Sequence, residues 1–281
     1  MLPRLITGLI LAPLVIWLTL FAPKAAMLTV LALAAARCTE ELLRMYPEMR
    51  PQDRIIAATL AAALAASPLL GPSVAFMAAG LAPIALLALS LVRPGDVQTA
   101  SRRAALGVLS LGYIGATCAV LIALFALPQT SKITTLHFWG LTFAPFDRGR
   151  GALLSLFIVV FLGDTGAYFA GRLFGRHKLY EMISPKKTMQ GAVGGLLASI
   201  AGGWIVAAAL LPDIALAHAL ALGAVGGAVG QIGDLVESLF KRATNTKDSG
   251  GLLPGHGGLL DRVDGVLFAG PVLYAYLLLF L

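Results

Sequence analysis

The chain has 281 residues, 58% of them hydrophobic and 12% charged, with a mean hydropathy of +0.87. A soluble domain carries roughly 25% charged residues, so this composition excludes an ordinary soluble enzyme and points to an integral membrane protein. The net charge of +7 has to be located before it is read as a basic surface for nucleic acid, and two cysteines, Cys38 and Cys118, are too few for a disulfide framework or a cysteine metal site.

A spanning helix needs about 20 apolar residues, because the hydrocarbon core is about 30 Å thick. Nine segments qualify in chain order: 4–22, 25–43, 54–70, 73–92, 104–127, 151–171, 191–211, 214–240 and 263–281. The fold class expected is therefore all-α, a polytopic membrane protein with about nine transmembrane helices. The opening run after Arg4 resembles a signal sequence, but "FAPKAAM" is a poor cleavage site, so a retained first helix is expected. The second segment carries Arg37, Glu40 and Glu41 near its end.

Alternating the segments with the N-terminus inside places 17 of the 21 basic residues on the cytoplasmic side and four, Lys24, Lys132, Arg148 and Arg150, outside. This split obeys the positive-inside rule and predicts an N-in, C-out topology. The 128–150 connection would lie outside, with Phe138, Trp139 and Phe143 as an interfacial belt and His137 as an interface residue. Polar motifs concentrate after residue 160. The chain is accordingly divided into an N-terminal helical region, 1–150, and a catalytic region, 151–281, whose loops face the cytoplasm.

In "FLGDTGAYFAGRLFGR", Asp164 lies within an apolar helix. An intramembrane carboxylate is costly and is a functional candidate by default; helix capping or an arginine partner is the alternative. "SPKKT" follows and places Ser184, Lys186, Lys187 and Thr188 before a glycine-rich helix. Free N–H groups at a helix start, with two lysines, suit phosphate oxygens. Ordinary positive-inside charge would look the same.

In "GGAVGQIGDLVESLFKR", Asp234, Glu237, Ser238 and Lys241 fall at i, i+3, i+4 and i+7, on one helix face. An amphipathic helix with a Glu237–Lys241 pair is the simpler reading, but Asp234 sits deep for it. "KDSGGLLPGHGGLLDRVDG", 247–265, then puts six glycines and three aspartates between two apolar segments. Gly257 and Gly258 allow close backbone approach. Asp261 and Asp264 lie at the start of the last helix, where acids also serve as caps. Joined by Asp234, they suggest a hard-cation site of the kind Mg²⁺ takes. Carboxylates for a metal beside Lys186, Lys187, Lys241, Arg242, Lys247 and Arg262 for phosphates describe phosphoryl or nucleotidyl transfer.

The stretch "SLFKRATNTKDSGGLLPGHGGLLDRVD", 238–264, resembles the signature of the phosphatidate cytidylyltransferases, the CDP-diacylglycerol synthases: Ser-x-apolar-Lys-Arg, Lys-Asp, Pro-x-His-Gly-Gly and Asp-Arg-x-Asp. "GDTGAYFAGRLFGR" and "SPKKT" are similar too, so the likeness is strong over 160–281 and loose before. Two positions depart from the family: Gly265 stands where a serine is usual, and Glu40-Glu41 where a Glu-Trp pair is usual. The resemblance implies that CTP and phosphatidate give CDP-diacylglycerol and pyrophosphate for phospholipid biosynthesis. It implies Mg²⁺, with a monovalent K⁺ allowed beside it, a homodimer, and a bacterial-type cytoplasmic (inner) membrane with the active site facing the cytoplasm. No nucleic-acid partner is expected.

Carried over by motif, Asp234, Ser238 and Asp261 are expected as metal-site residues. Asp234, Asp261, Asp264, Lys241 and Arg262 are expected to carry catalysis. Asp164, Ser184, Lys186, Lys187, Thr188, Arg242, Lys247, Asp248, His256, Gly257 and Gly258 are expected to bind substrate. His256 reads as a phosphate hydrogen-bond donor or a loop-packing residue, with acid–base work as the alternative. Two rival functions stay open: a CTP-dependent lipid kinase, which would release CDP, and a transporter with an intramembrane aspartate. A transporter predicts inverted repeats, and none stands out in the sequence.

Overall fold

The computed structural model describes residues 13–92, 95–127, 137–138, 141–142, 147–211, 214–252 and 257–280. Residues 13–21 form α1. Then come α2 (Lys24–Arg44), α3 (Pro51–Ala66), α4 (Pro72–Ser90), α5 (Val97–Ser110) and α6 (Thr117–Phe125). Two short strands, β1 (His137–Phe138) and β2 (Leu141–Thr142), pair antiparallel. They are followed by α7 (Arg148–Phe174), a hairpin of β3 (Lys178–Tyr180) and β4 (Ser184–Thr188), and α8 (Met189–Ile205), α9 (Leu216–Ala243) and α10 (Leu260–Phe280). The helix starts follow local rules. Pro51 and Pro72 occupy first-turn positions, where the missing N–H costs nothing. Asp96, Asp147 and Thr188 cap α5, α7 and α8 through side-chain oxygens. The bond from the Thr99 backbone N–H holds the Asp96 carboxyl below its ordinary pKa. Gly71 turns the chain between α3 and α4 at φ +116°, a conformation that favours glycine.

Seven helices among the described residues are long and apolar enough to cross a membrane: Pro51–Leu70, Pro72–Ser90, Val97–Phe125, Arg148–Phe174, Met189–Leu210, Leu216–Ala243 and Leu260–Phe280. The chain is thus an all-α polytopic membrane protein. These seven match seven of the nine expected segments. Helix α2 coincides with the segment at 25–43 but does not reach the same apolarity, because Arg37, Glu40, Glu41 and Arg44 crowd its last turns. Residues 4–12 of the first segment lie outside the described residues, as do Arg93, Lys132, Trp139, Phe143 and His256.

The described residues fall into two compact units. The first comprises those within Met1–Leu14, Pro23–Ala123 and Phe240–Val263; the second comprises those within Val15–Ala22, Leu124–Leu239 and Asp264–Leu281. The core of the first is built by Leu43, Met49, Ala57, Ala61, Leu64, Ala82, Leu86 and Leu111. The unit also holds ion pairs: Arg37 meets Glu40 and Glu41 at 2.8 and 3.0 Å, and Arg103 meets Asp53 at 3.5 Å.

The second unit packs by small residues. A Cβ on Gly166 or Gly194 would collide with Ala198 or Ala170 across the α7–α8 contact. A Cβ on Gly227 would collide with Ser199, whose hydroxyl donates to the Val159 carbonyl at 2.9 Å. Close packing and interhelical hydrogen bonds of this kind replace the hydrophobic drive, which is absent between helices in lipid.

Arg150 ties this unit together. Its guanidinium donates to the carbonyls of Thr19, Leu20 and Ala22 at 2.9, 2.7 and 2.7 Å, and it lies 5.8 Å from the Phe125 ring centroid. Those carbonyls end α1 and have no partner further along the helix. Arg150→Ala is expected to cost about 2–4 kcal/mol, since hydrogen bonds to charged groups are the stronger kind. Thermal unfolding in detergent should show this as a lower Tm, with Arg150→Lys intermediate.

Candidate functional site

In the first unit the site is organised by two carboxylates. Asp261 stands in the first turn of α10, with its side chain 5% exposed. Its Oδ1 pairs with Lys241 Nζ at 2.7 Å. Its Oδ2 accepts from the Ser249 backbone N–H, the Ser249 hydroxyl and the Gly258 backbone N–H, each at 2.8 Å. Both ends of the glycine loop are therefore gathered onto one oxygen. Gly257 makes this possible: its φ is +82°, and a Cβ there would come within 2.6 Å of Asp261 Oδ2.

Glu41, fully buried on α2, is the second carboxylate. Its Oε2 accepts from the Leu260 backbone N–H at 2.9 Å and from the Ser249 hydroxyl at 3.5 Å, while Arg37 Nε reaches Oε1 at 3.0 Å. Of the remaining expected residues in this unit, Arg242, Lys247, Asp248 and Arg262 are exposed. They leave a cationic surface next to a loop held by buried anions.

In the second unit, α9 carries Asp234 and Glu237 and α10 carries Asp264. One oxygen from each carboxylate lies within 4.8 Å of the others. Glu237 is fully buried and Asp264 is 8% exposed. The close approach of α9 and α10 has a simple cause: a Cβ at Gly233 would stand 2.7 Å from the Asp264 carbonyl and 2.9 Å from Phe268 Cβ. Gly265 belongs to the same contact, where a Cβ would lie 3.0 Å from Val160 Cγ1 and 3.3 Å from the Gly230 carbonyl. Val160 thus crowds the space that a serine side chain would need.

Lys187 approaches the cluster from β4, its Nζ 2.6 Å from Asp234 Oδ2. Thr188 ends that strand as the N-cap of α8, accepting from Gly191 N at 3.1 Å. Ser184 is half-buried on β4, and Lys186 and Asp164 are exposed.

The three-carboxylate set fits a hard cation by its donor chemistry, since all its ligand atoms are anionic oxygens. Of the motif-derived metal residues, Asp234 and the half-buried Ser238 belong to the second unit and Asp261 to the first. The sequence places Glu237 on the helix face of Asp234 without naming it a metal-site residue, and the carboxylate cluster adds it as a candidate. Its i+3 spacing from Asp234 was the available signal. The sequence shows Glu41 only as a departure from the family's Glu-Trp pair and does not single out Ser249; Glu41 meets Ser249 and Leu260 across more than two hundred positions of chain.

A sequence model described as the cytidylyltransferase family matches residues 2–280. Proteins named phosphatidate cytidylyltransferase are similar to part of the chain. The one from Staphylococcus saprophyticus is 48% identical over 127 residues, which is 45% of this chain and 49% of that protein. That from Staphylococcus haemolyticus is 44% identical over 131 residues, 47% of this chain and 50% of that protein. That from Staphylococcus aureus is 46% identical over 131 residues, 45% and 49% of the two chains. The matched stretch spans about half the length of these curated relatives.

Proposed function

Since the chain belongs to the cytidylyltransferase family, we propose that it condenses CTP with phosphatidate to give CDP-diacylglycerol and pyrophosphate, for phospholipid biosynthesis. The observation that carries this reading is the Asp261 carboxylate, which holds the Lys241 ammonium and the Ser249 and Gly258 N–H groups beside the exposed cations Arg242, Lys247 and Arg262. Lys241 neutralises Asp261, Lys187 neutralises Asp234, and Arg242, Lys247 and Arg262 face solvent.

The nucleophile is a phosphate-monoester oxygen of the lipid. Its second pKa is about 6, so it is anionic at neutral pH and needs no strong base. That oxygen bonds the α-phosphorus of CTP as the bond to pyrophosphate breaks. The barrier lies in bringing two polyanions together. Asp234, Glu237 and Asp264 would hold Mg²⁺, which supplies charge stabilisation at the transferring phosphorus when bound. The geometric set and the motif-derived set, Asp234, Ser238 and Asp261, share Asp234. Arg242, Lys247 and Arg262 hold the triphosphate and neutralise the leaving pyrophosphate. Lys186 and Lys187 take a substrate phosphate, and Lys187 exchanges its bond to Asp234 for it. Asp261 orders the loop that receives the nucleotide.

In the same reading the chain crosses a bacterial inner membrane nine times, N-in and C-out, with 238–264 in the cytoplasm where CTP is found. The N-terminal region, 1–150, scaffolds the catalytic region, 151–281, and two copies form a homodimer. The purified protein, given phosphatidate, α-labelled CTP and Mg²⁺, should move label into a lipid-soluble product. Label left in water-soluble CDP would instead identify a lipid kinase, and label left in CTP would reject both enzymes.

A further inference from the structure

Glu41 is the one fully buried carboxylate in the first unit among the described residues, and it stands in place of the tryptophan of the family's usual Glu-Trp pair. Its environment is specific. Oε2 receives the Leu260 N–H, from the first turn of α10, at 2.9 Å. Helix N-termini carry unsatisfied donors and partial positive charge, so a carboxylate there acts as a cap supplied from another helix. The Ser249 hydroxyl stands between the two acids, 2.8 Å from Asp261 and 3.5 Å from Glu41.

Glycines complete the contact. A Cβ on Gly250 would meet Glu41 first, at 2.8 Å from Oε1, 3.0 Å from Cδ and 3.2 Å from Cγ. A Cβ on Gly258 would lie 2.5 Å from Glu41 Oε2. The two ends of the loop, 249–250 and 258–260, are thereby pinched onto one carboxylate. Arg37 Nε, at 3.0 Å from Oε1, holds that carboxylate in place and balances its charge.

We infer that Glu41 is a positioning residue for nucleotide binding: it ties Ser249 and Gly250 to Gly258 and Leu260 and so sets the place of Asp261 and of the cations that receive CTP. The inference rests on the cytidylyltransferase reading for the identity of the nucleotide. The clamp itself rests on geometry alone. Glutamine cannot replace the residue. Donors approach both carboxylate oxygens, from Arg37 on one and Leu260 on the other, so the amide NH₂ must face one of them. An acceptor lost to a charged or buried donor costs a factor of about ten to a hundred.

The test compares full-length wild type with Glu41→Gln in detergent. CTP KM should rise about tenfold or more, with phosphatidate KM within about twofold, because a loop defect removes nucleotide binding selectively. Hydrogen exchange at the Ser249 and Leu260 amides should accelerate. Gly250→Ala keeps the acid but drives a methyl against it, and should reproduce the CTP-selective rise even where Glu41→Gln fails to fold. Unchanged CTP KM in both variants overturns the inference. So does an equal rise in both KM values with a lower Tm, which marks plain destabilisation. A wild-type protein that transfers no label refutes the functional reading only, since exchange at Leu260 in wild type and variant still decides the clamp.

Discussion

Asp261→Asn should lower kcat/KM for CTP by roughly a thousandfold, which is the scale of losing one partner of a buried, hydrogen-bonded ion pair. The reason lies in the two sides of the carboxylate. Oδ1 faces the Lys241 ammonium, and Oδ2 faces two N–H groups and a hydroxyl. An amide NH₂ turned toward Lys241 meets only an ammonium, and turned the other way it faces two N–H groups with the Ser249 hydroxyl as its single acceptor. Lys241, its side chain 17% exposed, then loses the Asp261 carboxylate, and the loop loses the bonds that gather Ser249 and Gly258. Steady-state label transfer, with Tm as the control for folding, checks this. Near-normal turnover in a folded Asp261→Asn protein would show that the loop is ordered by other groups.

Glu237→Gln should raise the Mg²⁺ concentration for half-maximal activity about tenfold to a hundredfold, because charge count and ligand number set affinity at oxygen sites. The three carboxylates of Asp234, Glu237 and Asp264 stand within 4.8 Å, with Lys187 as a cation against Asp234. Like charges at that distance repel. Removing one should therefore weaken cation binding without lowering Tm in a chelator. Mn²⁺ binding followed by electron paramagnetic resonance reads the site without turnover. A variant with wild-type Mg²⁺ dependence and wild-type Mn²⁺ affinity would exclude Glu237 from the cation site.

The membrane architecture was legible because it depends on composition along the chain. Seven expected segments appear as seven apolar helices, since a helix satisfies its own backbone and needs only length and hydropathy to span lipid. The candidate cation-binding carboxylates of the second unit were partly legible for a similar reason. Asp234 and Glu237 are three apart on one helix, a spacing that periodicity alone places on one face. Helix α2 was read less well, because its charged end is stabilised by ion pairs that hydropathy does not register.

By itself, then, the sequence determined the membrane class, the order of the helices, and the stretch, 238–264, where polar chemistry had to sit. Only the tertiary structure decided the partners. Lys187 went to Asp234 and Lys241 to Asp261, Glu237 and Asp264 came together where Gly233 lets α9 and α10 touch, and Glu41 reached Leu260 across the chain. Helix period and hydropathy are properties of neighbours in sequence. Which carboxylate a lysine neutralises depends on how closely two backbones approach, and glycines set that distance without announcing which helix they face.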